Sequence, residues 1–400
     1  MSPEFDCATI GQIKAMISIY IHIPFCIKKC DYCDFYSVPM SKEELPVARF
    51  TSSLLCQISA SRVLGAFGDR EIKSIYFGGG TPSLLPAGFF GKVLEAIDGQ
   101  FRVADDVEIS CEVNPKTTDA MWFREVMEAG VNRISIGVQS FDDELLMLLG
   151  RAHSSCDAMA CISQAIDAGF ENTGLDFIYA IPNEGIDVLE RDLRKAMSFQ
   201  PRHISAYALT VENDTAIKKR IDCKELCPIS EEAALQQSRL VPEMLGSLGL
   251  ERYEISNFAK AGFESIHNLN YWRYGEYLGF GPGAVSFLMN DSEGFFARRW
   301  KTKAKAHAFL EGVFDISEDD RIDVKTAMFE FCFMGLRTVE GLDLKRFRRL
   351  FCKDLEDVYG KVIEELRRES LISTAAGRVK LTDRGFELSN LAFEMFVPNS

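Results

Sequence analysis

Short runs of β-branched and aromatic residues alternate with amphipathic stretches through the first half of the chain. The strand candidates are Ser18 to Ile23, Ser74 to Phe77, Val107 to Val113, Arg133 to Val138, Gly174 to Tyr179 and His203 to Leu209. Between them, apolar residues at helical spacing predict helices over Ala87 to Ile97, Ala120 to Ala129, Asp157 to Ala168 and Val188 to Phe199. Strands that alternate with helices read as βα units on a parallel sheet, an α/β fold. The pattern has six units, fewer than the eight of a closed barrel. It therefore predicts an open, partial (β/α)6 barrel.

The rhythm is lost after about Glu225. A helix is expected over Glu231 to Leu248, stopped by Gly249, and an aromatic- and glycine-rich stretch follows from Tyr253 to Phe287. After about Ser317 the pattern changes again. Helices are expected over Val324 to Leu336, Leu344 to Leu350 and Leu355 to Glu369. A hairpin about Ala375-Ala376-Gly377 and a last helix from Asp383 to about Phe396 complete the chain. Helices followed by a hairpin predict a mainly helical, winged-helix-like domain. The expected divisions are 1–225 for the barrel, 226–316 for a flanking segment and 317–400 for the C-terminal domain.

Composition narrows the function. The formal net charge of −14 argues against a nucleic-acid partner, whose phosphates require a basic face. Twelve cysteines in 400 residues are too dilute for the disulfide framework of a small secreted domain. The opening Met-Ser-Pro-Glu-Phe-Asp-Cys lacks a basic segment leading into an apolar one. No apolar run is long enough to span a bilayer. The expectation is a cytoplasmic protein with reduced thiols and no transmembrane segment.

The chemistry-bearing residues cluster where predicted strands end, as they do in βα barrels. Cys26, Cys30 and Cys33 form a CxxxCxxC run directly after the first strand. Three thiolates on one short loop can bind three corners of a 4Fe-4S cluster, leaving one iron open. The same run could be half of a zinc site, although no matching Cys or His pair follows at zinc-like spacing. Gly78-Gly79-Gly80-Thr81-Pro82 follows the second strand. It is either a tight βα turn or a place where backbone approaches a ligand closely. It is not a phosphate loop, because no Gly-Lys-Ser/Thr follows. Glu112, Gln139 and Asp176 recur at or just after successive strands, with Arg151 in a following loop. Each could be a satisfied structural residue, and together they suit a ribose and an ammonium group. Cys223 and Cys227 read as two thiols on one helical face. The other cysteines, Cys7 among them, read as small core hydrophobes. His267-Asn268-Leu269-Asn270-Tyr271-Trp272 is a second unusual run. Its His is either structural or, with Tyr271 and Trp272 covering a flat macrocycle, an axial ligand to heme iron.

These motifs, in order, resemble the radical S-adenosylmethionine (SAM) family that contains the oxygen-independent coproporphyrinogen III oxidases and the heme chaperones. The matching runs are Tyr20-Ile21-His22-Ile23-Pro24-Phe25-Cys26, Gly78 to Ser83, Glu112-Val113-Asn114-Pro115, Gly130 to Phe141, Leu149-Gly150-Arg151, His267 to Trp272 and Gly335-Leu336-Arg337-Thr338. The oxidases carry a further Cys two residues after the third ligand, where this chain has Phe35, and they carry an N-terminal extension. Only about seventeen residues precede the first strand candidate here. The HNxxYW run belongs to the chaperone branch, where it is implicated in heme binding. The resemblance implies a radical SAM barrel whose 4Fe-4S cluster is bound by Cys26, Cys30 and Cys33. It implies a SAM pocket lined by Tyr20, Tyr32, Gly79, Gly80, Thr81, Glu112, Gln139, Arg151 and Asp176, and heme at His267. The expected partners are a heme-accepting protein and an electron donor for the cluster. Slow SAM cleavage is compatible with the resemblance; decarboxylation of coproporphyrinogen III is the rival activity.

Overall fold

The computed structural model describes residues 16–61, 70–289 and 294–397. The chain enters through β1 (Met16–Ile23) and forms a short parallel pair from β2 (Phe25–Cys26) and β3 (Val38–Pro39). It then runs α1 (Val47–Ser61), β4 (Glu71–Gly79), α2 (Ala87–Asp98), β5 (Arg102–Val113), α3 (Ala120–Glu128) and β6 (Arg133–Gln139). Next come α4 (Asp143–Leu148), α5 (Ser155–Asp167), β7 (Asn172–Tyr179), α6 (Ile186–Ser198) and β8 (His203–Ala208). The six long strands pair in parallel in the order β1-β4-β5-β6-β7-β8. Each strand and helix expected in this half is present. Some of the helices start where a side chain satisfies free amide groups: the Asp119 carboxylate accepts from the Met121 and Trp122 amides to start α3, and Ser154 forms a capping box with Asp157 to start α5.

Along these strands, alternate residues face opposite ways. One set is apolar: Ile17, Ile19, Ile21 and Ile23 on β1, Ile75 and Phe77 on β4, Ile109, Cys111 and Val113 on β5, Ile134, Ile136 and Val138 on β6, Leu175 and Phe177 on β7, and Ile204 on β8. All are buried in one core with apolar residues of α1, α2, α3, α5 and α6. The other set is polar. It includes Tyr20 and His22, Tyr76, Glu112, Arg133 and Ser135, Asp176, and His203, Ser205 and Tyr207, which line cavities in the concave face. A closed βα barrel fills its interior with branched apolar side chains. This one does not, so its interior remains open.

The flanking segment extends the same sheet at both edges, which the sequence pattern did not reveal. After α7 (Ala216–Asp222) and α8 (Glu231–Ser247), β9 (Glu251–Arg252) and β10 (Asn257–Ala259) add antiparallel to the β8 edge. The chain then crosses through α9 (Ile266–Trp272), and β11 (Glu276–Phe280) joins β1 in parallel. Beyond it, β12 (Val285–Met289), β13 (Ala297–Thr302) and β14 (Ile316–Ile322) continue antiparallel, with α10 (Ala306–Leu310) between the last two. Among the described residues this makes one twelve-stranded sheet.

The C-terminal part contains α11 (Val324–Gly335), β15 (Leu342–Asp343), α12 (Leu344–Phe351), α13 (Leu355–Arg368), β16 (Ile372–Ala375) and β17 (Arg378–Leu381). The three short strands form their own sheet, β15-β17-β16. Its core merges Phe331, Phe347 and Phe351 with Phe287 of the larger sheet and with Tyr274 of the turn after α9. The last helix is not continuous as expected. It divides at Leu388 into α14 (Asp383–Glu387) and α15 (Ser389–Glu394). The break turns Phe393 against Phe333 at 5.1 Å, and Phe396 against Tyr359 at 5.2 Å. A second difference concerns Cys223 and Cys227. Cys223 is the C-cap of α7, Lys224 turns into the left-handed region, and both thiols are exposed beyond the helix rather than on a helical face. Cys7 lies outside the described residues.

The outer core predicts the cost of disturbing it. Phe77 is fully buried, with Phe90 edge-on at 5.0 Å and Phe89 at 6.4 Å. Phe77→Ala is expected to cost about 3–5 kcal/mol, read as a lower urea midpoint with little change in slope. An unchanged midpoint would contradict the assignment of this face as the core.

Candidate functional site

The cysteine loop is tied down at three places. Cys26 sits on β2, where the Val38 amide donates to the Pro24 carbonyl at 2.6 Å and the Met40 amide to the Cys26 carbonyl at 2.8 Å. At the tip of the loop, the Asp31 amide donates to the Leu149 carbonyl at 3.0 Å, and the Ile217 amide to the Asp31 carbonyl at 2.8 Å. Gly150 makes this docking possible. Its φ is +71°, and a Cβ there would lie 2.4 Å from the Asp31 carboxylate. The next residue, Arg151, then reaches the loop. It donates to Cys30 Sγ at 3.4 Å, to the Gly137 carbonyl at 2.9 Å and to Asn114 Oδ1. Its Nε is buried with no hydrogen-bond partner in the structure. Thr81 donates to Cys26 Sγ at 3.5 Å.

Cys26, Cys30 and Cys33 line one cavity of about 480 Å³ with Tyr32, Gly79, Gly80, Thr81, Glu112, Gln139, Arg151 and Asp176. Burial pushes the Cys26 thiol up, and that of Cys33 up to about 11. Among the described residues, no three His, Cys, Asp or Glu side chains converge tightly enough to hold a single metal ion. A cubane offers a separate iron to each thiolate, so its ligands need not meet at one point. The donor set fits such a cluster: three thiols around one space, a guanidinium on one of them and an open side toward the cavity.

The glycine run lies at a cavity wall and in a tight turn. Gly79 and Gly80 line the cavity. The run is also required by the protein itself: a Cβ on Gly80 would lie 2.6 Å from the Phe25 carbonyl oxygen. The Gly80 amide donates across the same gap to the Ile23 carbonyl at 2.7 Å. Gln139 ends β6 with φ +67°, a rare backbone state for a non-glycine residue. Glu112 accepts from the Tyr76 hydroxyl at 3.0 Å and the Gly79 amide at 3.1 Å. Burial, then the nearby Asp176 charge, raises its pKa from 4.5 to about 7. Burial also raises that of Asp176, against hydrogen bonds from Ser205 and Ser135. The two carboxyls would therefore welcome a cation between them.

Tyr20 and His267 lie elsewhere. They line a second cavity of about 830 Å³, with His22, Tyr76, Glu112, Tyr207 and Tyr271 among its walls. The residues it shares with the first include Phe35, Tyr76, Gly79, Glu112, Tyr207 and Asn268. Helix α9 plugs the concave face of the sheet. Glu108 of β5 accepts from the Ile266 and His267 amides, each at 3.1 Å, where a helix N-terminus favours a carboxylate. His267 itself is 1% exposed. Its ring stacks on Tyr76 at 4.9 Å, and burial lowers its pKa to about 3. Of the two rings expected to cover a macrocycle at His267, one lies beside the imidazole and the other does not. Tyr271 meets His267 edge-on at 5.0 Å, one helical turn away. Trp272 lies about 140° around the helix from His267. It takes the Arg337 guanidinium over its ring at 4.7 Å and lines a separate cavity of about 110 Å³.

The sequence reading missed Asn114, Arg133, Ser135, His203 and Ser205, all of which line the first cavity. A signal was available for most of them. They occupy the polar alternate positions of strands whose other positions are apolar.

Glu112 generates a pH prediction. Below about pH 4.5 its carboxyl is protonated in the folded and unfolded chain alike. Between there and about pH 7 only the unfolded chain gives up the proton, so stability falls through that window and levels off above it. Glu112→Gln removes this titration. Relative to wild type it is expected to gain on the order of 2 kcal/mol from pH 4.5 to 7.5, discounted because the carboxyl borders a cavity. Urea unfolding at several pH values reads the difference, and a pH-independent difference would contradict the raised pKa.

The model of the radical SAM superfamily matches residues 20–196, and that of the HemN C-terminal domain matches residues 322–388. The chain is 34% identical over 388 residues to heme chaperone HemW of Escherichia coli (strain K12), covering 95% of this chain and 98% of that protein. It is 32% identical over 383 residues to heme chaperone HemW of Bacillus subtilis (strain 168), covering 96% and 99%. The fold is shared with coproporphyrinogen III oxidase (HemN) from Escherichia coli. That structure superposes with a TM-score of 0.80 over 97% of this chain and 92% of that one, at 19% identity. Identity of this level along nearly the full length of both chains, on the same barrel, means that the chain belongs to the heme chaperone HemW family of the radical SAM superfamily.

Proposed function

We propose that the protein is a heme chaperone built on a radical SAM core. In this reading Cys26, Cys30 and Cys33 hold a 4Fe-4S cluster, SAM occupies the first cavity, and heme is carried in the second for delivery to an acceptor protein. The observation that carries the reading is the shared wall. A cavity with three thiols and two carboxyls of raised pKa adjoins a larger, tyrosine-lined one with a buried imidazole. Drug-sized and cofactor ligands occupy spaces of roughly 300–1,000 Å³, so the second cavity, at about 830 Å³, is of a size for a macrocycle.

Each residue has a task in this scheme. Cys26, Cys30 and Cys33 would hold the cluster, which when bound would supply reducing chemistry for carbon–sulfur cleavage, its electron drawn from an outside donor. Arg151 keeps a positive charge against Cys30. Glu112 and Asp176 offer carboxylates to an ammonium or ribose, Gln139 offers an amide, and Gly79 and Gly80 let the backbone approach. Tyr32 and Thr81 close the space around the thiols. None of the described cysteines is in a disulfide. No helix among the described residues is long and apolar enough to cross a membrane. Phe35, 63% exposed, stands at the edge of both cavities. The resemblance gives the decarboxylating branch a cysteine at that position.

Two measurements test the proposal. First, replacing Cys26, Cys30 and Cys33 together by Ala should abolish the 4Fe-4S absorbance and paramagnetic signal after anaerobic reconstitution, with far-UV dichroism little changed. A full cluster in the triple variant would refute the ligand assignment. Second, the reconstituted protein should bind heme, and with coproporphyrinogen III, SAM and reductant it should form no protoporphyrinogen. Catalytic loss of two carboxyl groups, seen by mass spectrometry, would favour the oxidase instead.

A further inference from the structure

The hydrogen bonds around His267 select one tautomer of its ring. Ser74 Oγ lies 2.9 Å from Nδ1, and the Ser74 hydroxyl donates to Ser18 Oγ at 2.7 Å. A hydroxyl has a single proton. With that proton spent on Ser18, Ser74 can only accept from the imidazole, so Nδ1 carries the hydrogen. On the far side, Nε2 lies 3.0 Å from the Tyr271 hydroxyl. A phenol is a far stronger acid than a neutral imidazole N–H, so Tyr271 donates and Nε2 accepts. The two ends agree. With a hydrogen on Nδ1 and none on Nε2 the ring is neutral, its lone pair on Nε2 beneath the Tyr271 hydroxyl.

This is the arrangement that metal-binding histidines use. One nitrogen ligates while the other donates its hydrogen to an oxygen acceptor, which fixes both tautomer and ring orientation. Here the acceptor comes from neighbouring strands: Ser18 and Ser74 are register partners on β1 and β4. The Glu108 carboxylate, seated on the first amides of α9, fixes the backbone from which His267 projects. Tyr271, by contrast, is partly exposed to the second cavity. Its hydroxyl proton is engaged on Nε2, which makes it the poorer ligand for iron.

We propose that Ser74, backed by Ser18, is the positioning residue for His267 as an iron ligand, and that the Tyr271 hydroxyl is a displaceable cap on Nε2 which gives way when the iron of a heme-class macrocycle enters the second cavity. The proposal rests on the heme-binding reading and adds to it a device for keeping the ligand ready and covered.

The test uses the full chain. In the heme-free protein, nitrogen-15 NMR of the imidazoles, only five histidines in all, should show His267 as the Nδ1–H tautomer; an Nε2–H form would overturn the proposal. Hemin titrations then compare wild type with His267→Ala, Tyr271→Phe and Ser74→Ala. Tyr271→Phe removes one neutral hydrogen bond from the empty state and should bind heme about fivefold tighter. Ser74→Ala should lower the iron–imidazole stretching frequency of the ferrous complex in resonance Raman spectra. If Ser74→Ala does not fold, Ser18→Ala serves: it frees the Ser74 proton, lets the ring adopt the opposite tautomer and should weaken heme binding. Equal or weaker binding by Tyr271→Phe, or an unchanged stretching frequency or affinity in the serine variants, would overturn the device while leaving His267 as ligand. A wild-type Soret band and affinity in His267→Ala would instead overturn the ligand reading itself, and the device with it.

Discussion

An oxygen or nitrogen atom taken out of water must find another partner, and this constraint organises the concave side of the sheet. On the outer side the matter is simple, because isoleucine, valine and phenylalanine from the strands close against the helices. On the inner side the same strands present serine, tyrosine, histidine, glutamate, aspartate and arginine. These cannot be packed dry. They must bond to one another, to ligands or to a polar plug. Part of the demand is met by α9, which enters with its amide N-termini on Glu108 and its His267 on Ser74. The rest of the space remains as cavities.

That division explains why two chemically different cavities can lie side by side. The first is governed by charge. Arg151 lies against a thiol and a backbone carbonyl, while Glu112 stands close enough to Asp176 to feel its charge. The second is governed by ring surfaces, with Tyr20, Tyr76 and His267 at 4.9–6.2 Å from one another. Tyr76 belongs to both: its ring stacks on His267 and its hydroxyl donates to Glu112. Glu112 itself lines both cavities, and Tyr76 carries its hydrogen bond to the ring that stacks on His267. This is a short physical link between the two halves of the proposed function.

Membership of a family and the shared barrel do not by themselves assign chemistry, because one fold hosts many activities. What distinguishes this chain lies in particular side chains. Phe35 offers an exposed ring where a thiol would add a reactive group. Trp272, which looks like a partner of His267 in the linear motif, supports the C-terminal part through Arg337 instead. Motif residues adjacent in sequence thus serve opposite faces of one short helix.

Much of the architecture was legible because it rests on local rules. The period of two marks each parallel strand, the 3.6-residue period marks the helices between them, and the three cysteines, the glycine run and the carboxylates fall at strand ends, where βα folds gather their working groups. The sequence also carried a hint of the polar interior in the alternate positions Ser74, Ser135 and Ser205. Other features required tertiary structure, since they depend on contacts between residues far apart in the chain. Strand β11 pairs with β1 across some 250 residues, and nothing in the local pattern of Tyr253 to Phe287 specifies that edge. Gly150 is required by Asp31, Glu108 by α9, and the tautomer of His267 by Ser74 and Ser18 on two other strands. The sequence by itself determined which residues could do chemistry. Which of them meet, which are buried and which nitrogen holds a proton was decided by the fold, because hydrogen bonding and desolvation act through space rather than along the chain.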